Sequence, residues 1–263
     1  KAIDNAKLHK SFLHIPNEAM KNLNAKLLLH KFYSVCFETG LCPSDWYNSD
    51  IKPIPKKDKD QRDPLNNRCI TIMSCVAKIY SSILNKRIQS YLEKNNILED
   101  EQNGFRAARS CIDHIFILCC ILRNRKETGK QTFICFIDFT KAFDSVDRKL
   151  LLHSISSIGI VGKMYKAISA MFKSPRARVI LNEYQTDYFD CTIGVKQGDS
   201  ISPTLFACFV NSLSQELKAL NKGVQIDPNL NVSNLLYADD IVLLAETCLL
   251  YTSDAADDSL RVD

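Results

Sequence analysis

The stretch "LLYADDIVLLA", residues 235–245, sets two adjacent carboxylates, Asp239 and Asp240, in a run that is otherwise almost wholly apolar. An ionised carboxylate is costly in such surroundings unless it is paired, neutralised or bound to a metal ion. Aspartate is also a common turn residue, so "ADD" taken alone can equally be the tight turn of a hairpin. A third carboxylate, Asp138, closes the run "TFICFIDF", residues 132–139. That run is short, apolar and rich in aromatic and β-branched residues, which predicts a buried strand. If the two runs lie side by side in one sheet, Asp138 and Asp239 converge at one edge, where hard oxygen ligands suit Mg²⁺. Two such ions roughly 4 Å apart can activate an attacking oxygen and stabilise a leaving one in phosphoryl transfer.

Around these runs the pattern alternates. Val76, Ile79, Tyr80, Ile83, Ile88, Tyr91 and Leu92 recur at helical spacing. "SCID" from Ser110 has the form of a capping box with Asp113 three residues after the cap, and predicts a second helix running towards Gly129. "DRKLLLHSISSIG" predicts a helix capped by Asp147 and stopped at Gly159, and "KMYKAISAMF" continues as another. "RARVILN" and "DYFDCTIGV", separated by "EYQT", predict a hairpin, and Pro203 and Gly223 bracket a further helix. Strand, helix, hairpin, helix, hairpin is the order of an α/β (α+β) domain whose antiparallel sheet is backed by helices. Everything before Thr132 is expected to form a separate, more helical layer.

The chain has 263 residues, 46% hydrophobic and 24% charged, enough for a sizeable core in one large domain or two small ones. Its longest strictly apolar run, "IFILCCIL" at 115–122, is far short of the roughly 20 residues that span a bilayer, so no membrane segment is expected. Eleven cysteines without a C-x-x-C pair favour reduced, buried thiols over a disulfide framework or a zinc module. A net charge of +4 permits nucleic-acid binding without demanding it. "IKPIPKKDKDQR" (51–62) and "NGFRAARS" (103–110) concentrate the basic residues that phosphate contacts require, and each can also be a solvated charged loop.

Six ordered motifs carry a resemblance: "IKPIPKKD" (51–58), "NRCITIMSCVAKIYSSIL" (67–84), "EQNGFRAARSCIDHI" (101–115), "FIDFTKAFDSVDR" (136–148), "GVKQGDSISPTLF" (194–206) and "YADD" (237–240). From about Trp46 to Thr247 the chain resembles the reverse transcriptases of non-LTR (LINE-type) retrotransposons and, more widely, the group that includes group II intron enzymes. The resemblance implies polymerase right-hand fingers (46–131) and palm (132–247), preceded by a helical extension (1–45). Asp138 and Asp239 would ligate two Mg²⁺ ions, for which Mn²⁺ could substitute, with Asp240 supporting them. The backbone of Phe139 would face the incoming triphosphate. Phe143 would lie under the sugar and clash with a 2′-hydroxyl, and Gln197 and Gly198 would pack beside the nucleotide. Lys56, or Lys57 in its place, and Arg68 match basic residues that contact the triphosphate. Cys69 stands where the family more usually has Pro, which puts the local backbone at Arg68 in question. Arg106 and Arg109 would hold template or primer phosphates, or be plain surface charge.

The implied partners are an RNA template, a DNA primer, deoxynucleoside triphosphates and the other domains of a parent polyprotein, endonuclease and thumb among them. The implied location is the nucleus or the cytoplasm. Residues 248–263, "CLLYTSDAADDSLRVD", lose the strand pattern and resemble the conceptual translation of a sequencing adapter. They are expected not to be native, and the thumb is expected to be absent. A second reading is therefore a catalytically inactive nucleic-acid-binding remnant of a decayed or truncated element.

Overall fold

A computed structural model describes residues 19–57, 60, 63–228 and 230–247. The expectations for 248–263, and for the first eighteen residues of the helical extension, lie outside these. The elements in order are α1 (Leu23–Thr39), β1 (Asn48–Pro55), β2 (Asn67–Ile72), α2 (Cys75–Lys94), α3 (Cys111–Glu127), β3 (Phe133–Asp138), α4 (Ala142–Ser145), α5 (Arg148–Ser157), α6 (Gly162–Met171), β4 (Arg176–Leu181), β5 (Tyr184–Gln185), β6 (Phe189–Asp190), α7 (Ser202–Ala219), β7 (Val224–Asp227), β8 (Leu230–Val232), β9 (Asn234–Tyr237) and β10 (Asp240–Ala245). No helix among the described residues is long and apolar enough to cross a membrane.

The chain divides into two compact units, each assembled from separated stretches: 1–95 with 143–206, and 96–142 with 207–263. In the first, β1 and β2 form an antiparallel hairpin and β1 pairs in parallel with β4, giving the order β2-β1-β4-β5 with β6 also on β4. The stretch before Thr132, expected to be mainly helical, thus contributes two strands to a sheet. Periodicity missed them because "NSDIKPIP" carries two prolines and little alternation, and its order comes from partners 12 to 22 residues away on β2 and 128 residues away on β4. The hairpin expected from β4 is present but turns earlier, at Asn182 (φ 55°), so that Tyr184 and Gln185, read as turn residues, already pair with β4. Its returning strand is two short pieces, and 192–195 is not strand.

The core of this unit is aromatic at one end: Trp46 lies 5.2 Å from Tyr80 and 5.8 Å from Phe32 between ring centres. Tyr33 packs beside them and donates its hydroxyl to the Val76 carbonyl at 2.9 Å. Leu84 and Ile88 of α2, Leu151 and Ile155 of α5 and Ile168 of α6 are essentially sealed from solvent. Apolar burial at helical spacing on each of these helices is what holds the layer together.

The second unit holds a three-stranded antiparallel sheet, β3-β10-β9. α3 begins at the expected capping box: Ser110 Oγ accepts from the Asp113 N–H, and the Asp113 carboxylate accepts from the Ser110 N–H at 2.7 Å. Ile121 from α3, Val224, Leu235 and Leu244 form the core, with Ile134 and Val242 packed against it. This cover reaches only the first half of β3. Burial therefore falls along the strand, and Phe136 is 72% exposed, so the expectation of a wholly buried strand does not hold.

Candidate active site

In the second unit, β9 and β10 are joined by a two-residue turn, Ala238–Asp239, with Tyr237 opposite Asp240. The apolar run around the carboxylates is thus a hairpin with its acidic pair at the tip. Ala238 takes φ 63°, a region that non-glycine residues occupy only when surroundings hold them there. β10 pairs with β3 so that Asp240 stands directly across from Asp138, Val242 from Phe136 and Leu244 from Ile134. Paired residues on adjacent strands share a face, so Asp138 and Asp240 project from the same side with Cα atoms about 4.5–5.5 Å apart. From the sequence, Asp138 and Asp239 are expected to converge at one edge of the sheet; in the register Asp240 is the residue directly across from Asp138, and Asp239 lies in the turn beside it.

Asp138 and Asp240 are exposed and Asp239 is half-buried, so desolvation is a smaller cost than the apolar sequence suggested. Burial, followed by the charges of Asp239 and Asp138, raises the carboxyl of Asp240 above its ordinary range. The cluster is a concentration of negative charge that a cation would relieve. Among the described residues no three His, Cys, Asp or Glu side chains form a ligand cage. Mg²⁺, however, commonly uses one or two carboxylates and completes its shell with water and substrate phosphates, and Asp138 at the end of β3 with Asp239 in the adjoining turn can supply them, Asp240 beside both.

A segment before α3 supports the hairpin. The Leu236 N–H donates to Glu101 O at 2.8 Å and the Asn103 N–H donates to Leu236 O at 3.0 Å, so 101–103 runs beside β9 in parallel. Arg106 Nη1 donates to the carbonyls of Glu99 (2.9 Å) and Gln102 (3.2 Å). Arg109 donates to the Asp100 carboxylate at 2.6 Å and to Asn103 Oδ1 at 3.2 Å. Both arginines, expected at nucleic-acid phosphates, thus place guanidinium donors on the backbone and side chains of this segment. Asp100 responds: its hydrogen bond from Arg109 holds its carboxyl below the usual range.

The remaining candidates lie in the first unit, apart from Phe139, which is half-buried just past the end of β3. Phe143 of α4 stacks on Phe206 of α7, with centres 5.0 Å apart and planes 17° from parallel. The Val195 N–H donates to Phe143 O at 2.8 Å, and Gln197 Nε2 reaches both Asp144 carboxylate oxygens at 3.3 Å. Gln197 O accepts from the Thr71 N–H at 2.8 Å, which ties the loop to β2. Gly198 sits at φ 111° with no room for a side chain, since a Cβ there would come within 2.9 Å of Thr71 O. Phe143, Gln197 and Gly198 are therefore one assembly on β2. Arg68 lies on the same strand, paired with Ile54, and its side chain is exposed. Cys69 pairs regularly with Pro53, so the strand runs unbroken through the position where the family usually has Pro. Lys56 is exposed just past β1, its N–H donating to Asn66 O at 2.8 Å.

Two groups went unnoticed in the sequence. Asp199, next to Gly198, is buried and receives the Ser81 hydroxyl; burial raises its carboxyl, and burial likewise lowers the amine of the nearby Lys196. Gln102 is 1% exposed beneath the hairpin tip. A glutamine or aspartate inside a motif carries no local signal of burial, since partners distant in the chain create it.

The family profile described as "Reverse transcriptase (RNA-dependent DNA polymerase)" matches residues 54–249. The Pol polyprotein of the R2 retrotransposable element of Nasonia vitripennis is 26% identical over 231 residues, 88% of this chain and 21% of that one. The RNA-directed DNA polymerase of the mobile element jockey of Drosophila funebris is 23% identical over 90% of this chain and 25% of its own length. The chain thus spans about a fifth to a quarter of these relatives. Among solved structures, a Candida tropicalis telomerase truncated from its C-terminal domain superposes with a TM-score of 0.59 at 13% identity, over 90% of this chain and 52% of the other. That likeness establishes the fold, a mixed polymerase fingers-and-palm architecture.

Proposed function

The chain belongs to the reverse transcriptase (RNA-dependent DNA polymerase) family, of the non-LTR retrotransposon type, and on that premise we propose that it carries the nucleotidyl-transfer centre of an RNA-directed DNA polymerase. The observation that carries the proposal is the cross-strand pair Asp138 and Asp240 with Asp239 at the adjoining turn. In this reading 46–131 supplies the fingers and 132–247 the palm.

Asp138 and Asp239 would hold two Mg²⁺ ions, or Mn²⁺ in their place, with Asp240 strengthening the negative field that attracts them. Divalent ions bound there supply charge neutralisation at the attacking and leaving oxygens when a primer 3′-hydroxyl displaces pyrophosphate from a deoxynucleotide. The protein's own part is positioning. By likeness to the family, the backbone at Phe139 would face the triphosphate, Phe143, stacked on Phe206, would exclude a ribose 2′-hydroxyl, and Gln197 with Gly198 would pack beside the nucleotide. Arg68 and Lys56 offer cationic donors to the triphosphate, and exposed side chains on a strand suit that task. Arg106 and Arg109 act on the template or primer through any donors their bracing contacts leave. An RNA template, a DNA primer and the further domains of a polyprotein are the matching partners, and insertion at chromosomal DNA is compatible with the nucleus, the cytoplasm or both.

Primer extension on an RNA template by the complete polypeptide that carries this chain tests the proposal. Extension that requires a divalent ion and disappears in Asp239→Asn supports it; extension unchanged in that variant overturns it.

A further inference from the structure

We infer that Gln102 is a positioning residue for the carboxylate turn, an inference that rests on the metal-binding reading of Asp138 and Asp239. Its side-chain oxygen accepts from two backbone donors at once, the Gly104 N–H at 2.7 Å and the Ala238 N–H at 3.2 Å. Two facing N–H groups fix which end of the amide is the oxygen, because a nitrogen there would leave both donors buried and unpaired. Ala238 immediately precedes Asp239 and holds φ 63°, so the bond is made to the strained residue that aims the carboxylate.

The surroundings leave Gln102 little freedom. Its neighbours Glu101 and Asn103 are bonded to Leu236 on β9. Asn211 Oδ1 on α7 accepts from the Glu99 N–H at 2.9 Å, and Lys218 bridges Glu99 and Glu101. Gly104 lies so close that a Cβ on it would run into the backbone nitrogen of Ala238. The amide nitrogen of Gln102, by contrast, is buried without a hydrogen-bond partner among the described residues. Hydrogen-bonded support of this kind is what holds ligating groups in productive geometry.

The test is Mn²⁺ binding to the 263-residue chain, followed by electron paramagnetic resonance, in Gln102→Leu, Gln102→Glu and Asp239→Asn. Gln102→Leu removes the acceptor and is expected to weaken Mn²⁺ binding at least tenfold at temperatures well below its melting point. Gln102→Glu keeps an oxygen in the same place and is expected to remain within about threefold of the parent. If Gln102→Leu does not fold, Gln102→Asn, which withdraws the amide by one methylene, is read the same way. Parental Mn²⁺ affinity in a folded variant lacking the acceptor overturns the inference. Binding that is also indifferent to Asp239→Asn overturns instead the metal reading on which it stands.

Discussion

Asp240 stands directly across the sheet from Asp138, at the last pair of the β3–β10 ladder, where the turn brings Asp239 alongside. Burial first, and then the charges of Asp239 and Asp138, raise the carboxyl of Asp240. A carboxyl raised in the folded state costs stability as pH climbs through the ordinary aspartate range, near 4, and the cost persists at neutral pH. Asp240→Asn is therefore expected to melt higher than the parent at pH 7 in metal-free buffer. The advantage should vanish below about pH 3.5, where the unfolded chain is protonated as well, and shrink when Mg²⁺ is added. Thermal melts at both pH values, with and without Mg²⁺, check this.

Phe143 owes its placement to the stack on Phe206 and to its own carbonyl, which accepts from Val195. If Phe143 lies under the sugar as proposed, Phe143→Val opens that space. It is expected to raise ribonucleotide incorporation relative to deoxynucleotide in primer extension, at a stability cost of about 1–3 kcal/mol for a half-buried ring. Unchanged sugar discrimination would remove Phe143 from the site.

Gly198 tolerates no Cβ against Thr71 O at its φ of 111°. Gly198→Ala should cost about 1–3 kcal/mol in strain and break the Thr71–Gln197 bond. The expected kinetic signature is a higher KM for the deoxynucleotide with a smaller change in kcat, the pattern that the proposed place of the loop beside the nucleotide predicts.

Asp199 is buried with its carboxyl raised, chiefly by loss of solvent, while the Ser81 hydroxyl opposes that shift. Stability is accordingly lost as pH rises from the ordinary aspartate range towards the folded value. Asp199→Asn, which can still accept from Ser81, should flatten the stability profile above about pH 4. Ser81→Ala removes a donor to the charged form and should steepen it. Melting temperature against pH for the two variants separates these outcomes.

Much of the local structure was legible from one dimension. The capping box at Ser110, the Asp147 cap and the helical repeat through Tyr80 and Ile88 are encoded within a turn or two of chain, and each forms where its signal lies. The β1 strand was not legible, because its register with β2 and β4 is a property of three separated segments. Burial misled at β3, where an apolar run signals an apolar partner but not how far along the strand that partner reaches.

The site divides in the same way. The sequence by itself determined which chemical groups are available: three carboxylates in two apolar runs, a Gln-Gly pair, an aromatic five residues after the first aspartate, and basic residues in ordered motifs that place the chain in its family. Only the tertiary structure decided which carboxylate faces which, that Arg106 and Arg109 brace the segment behind the hairpin, and that Gln102 holds the turn. Side-chain chemistry is written residue by residue, whereas register, burial and hydrogen-bond partnership arise when segments far apart in the chain compete for the same few angstroms.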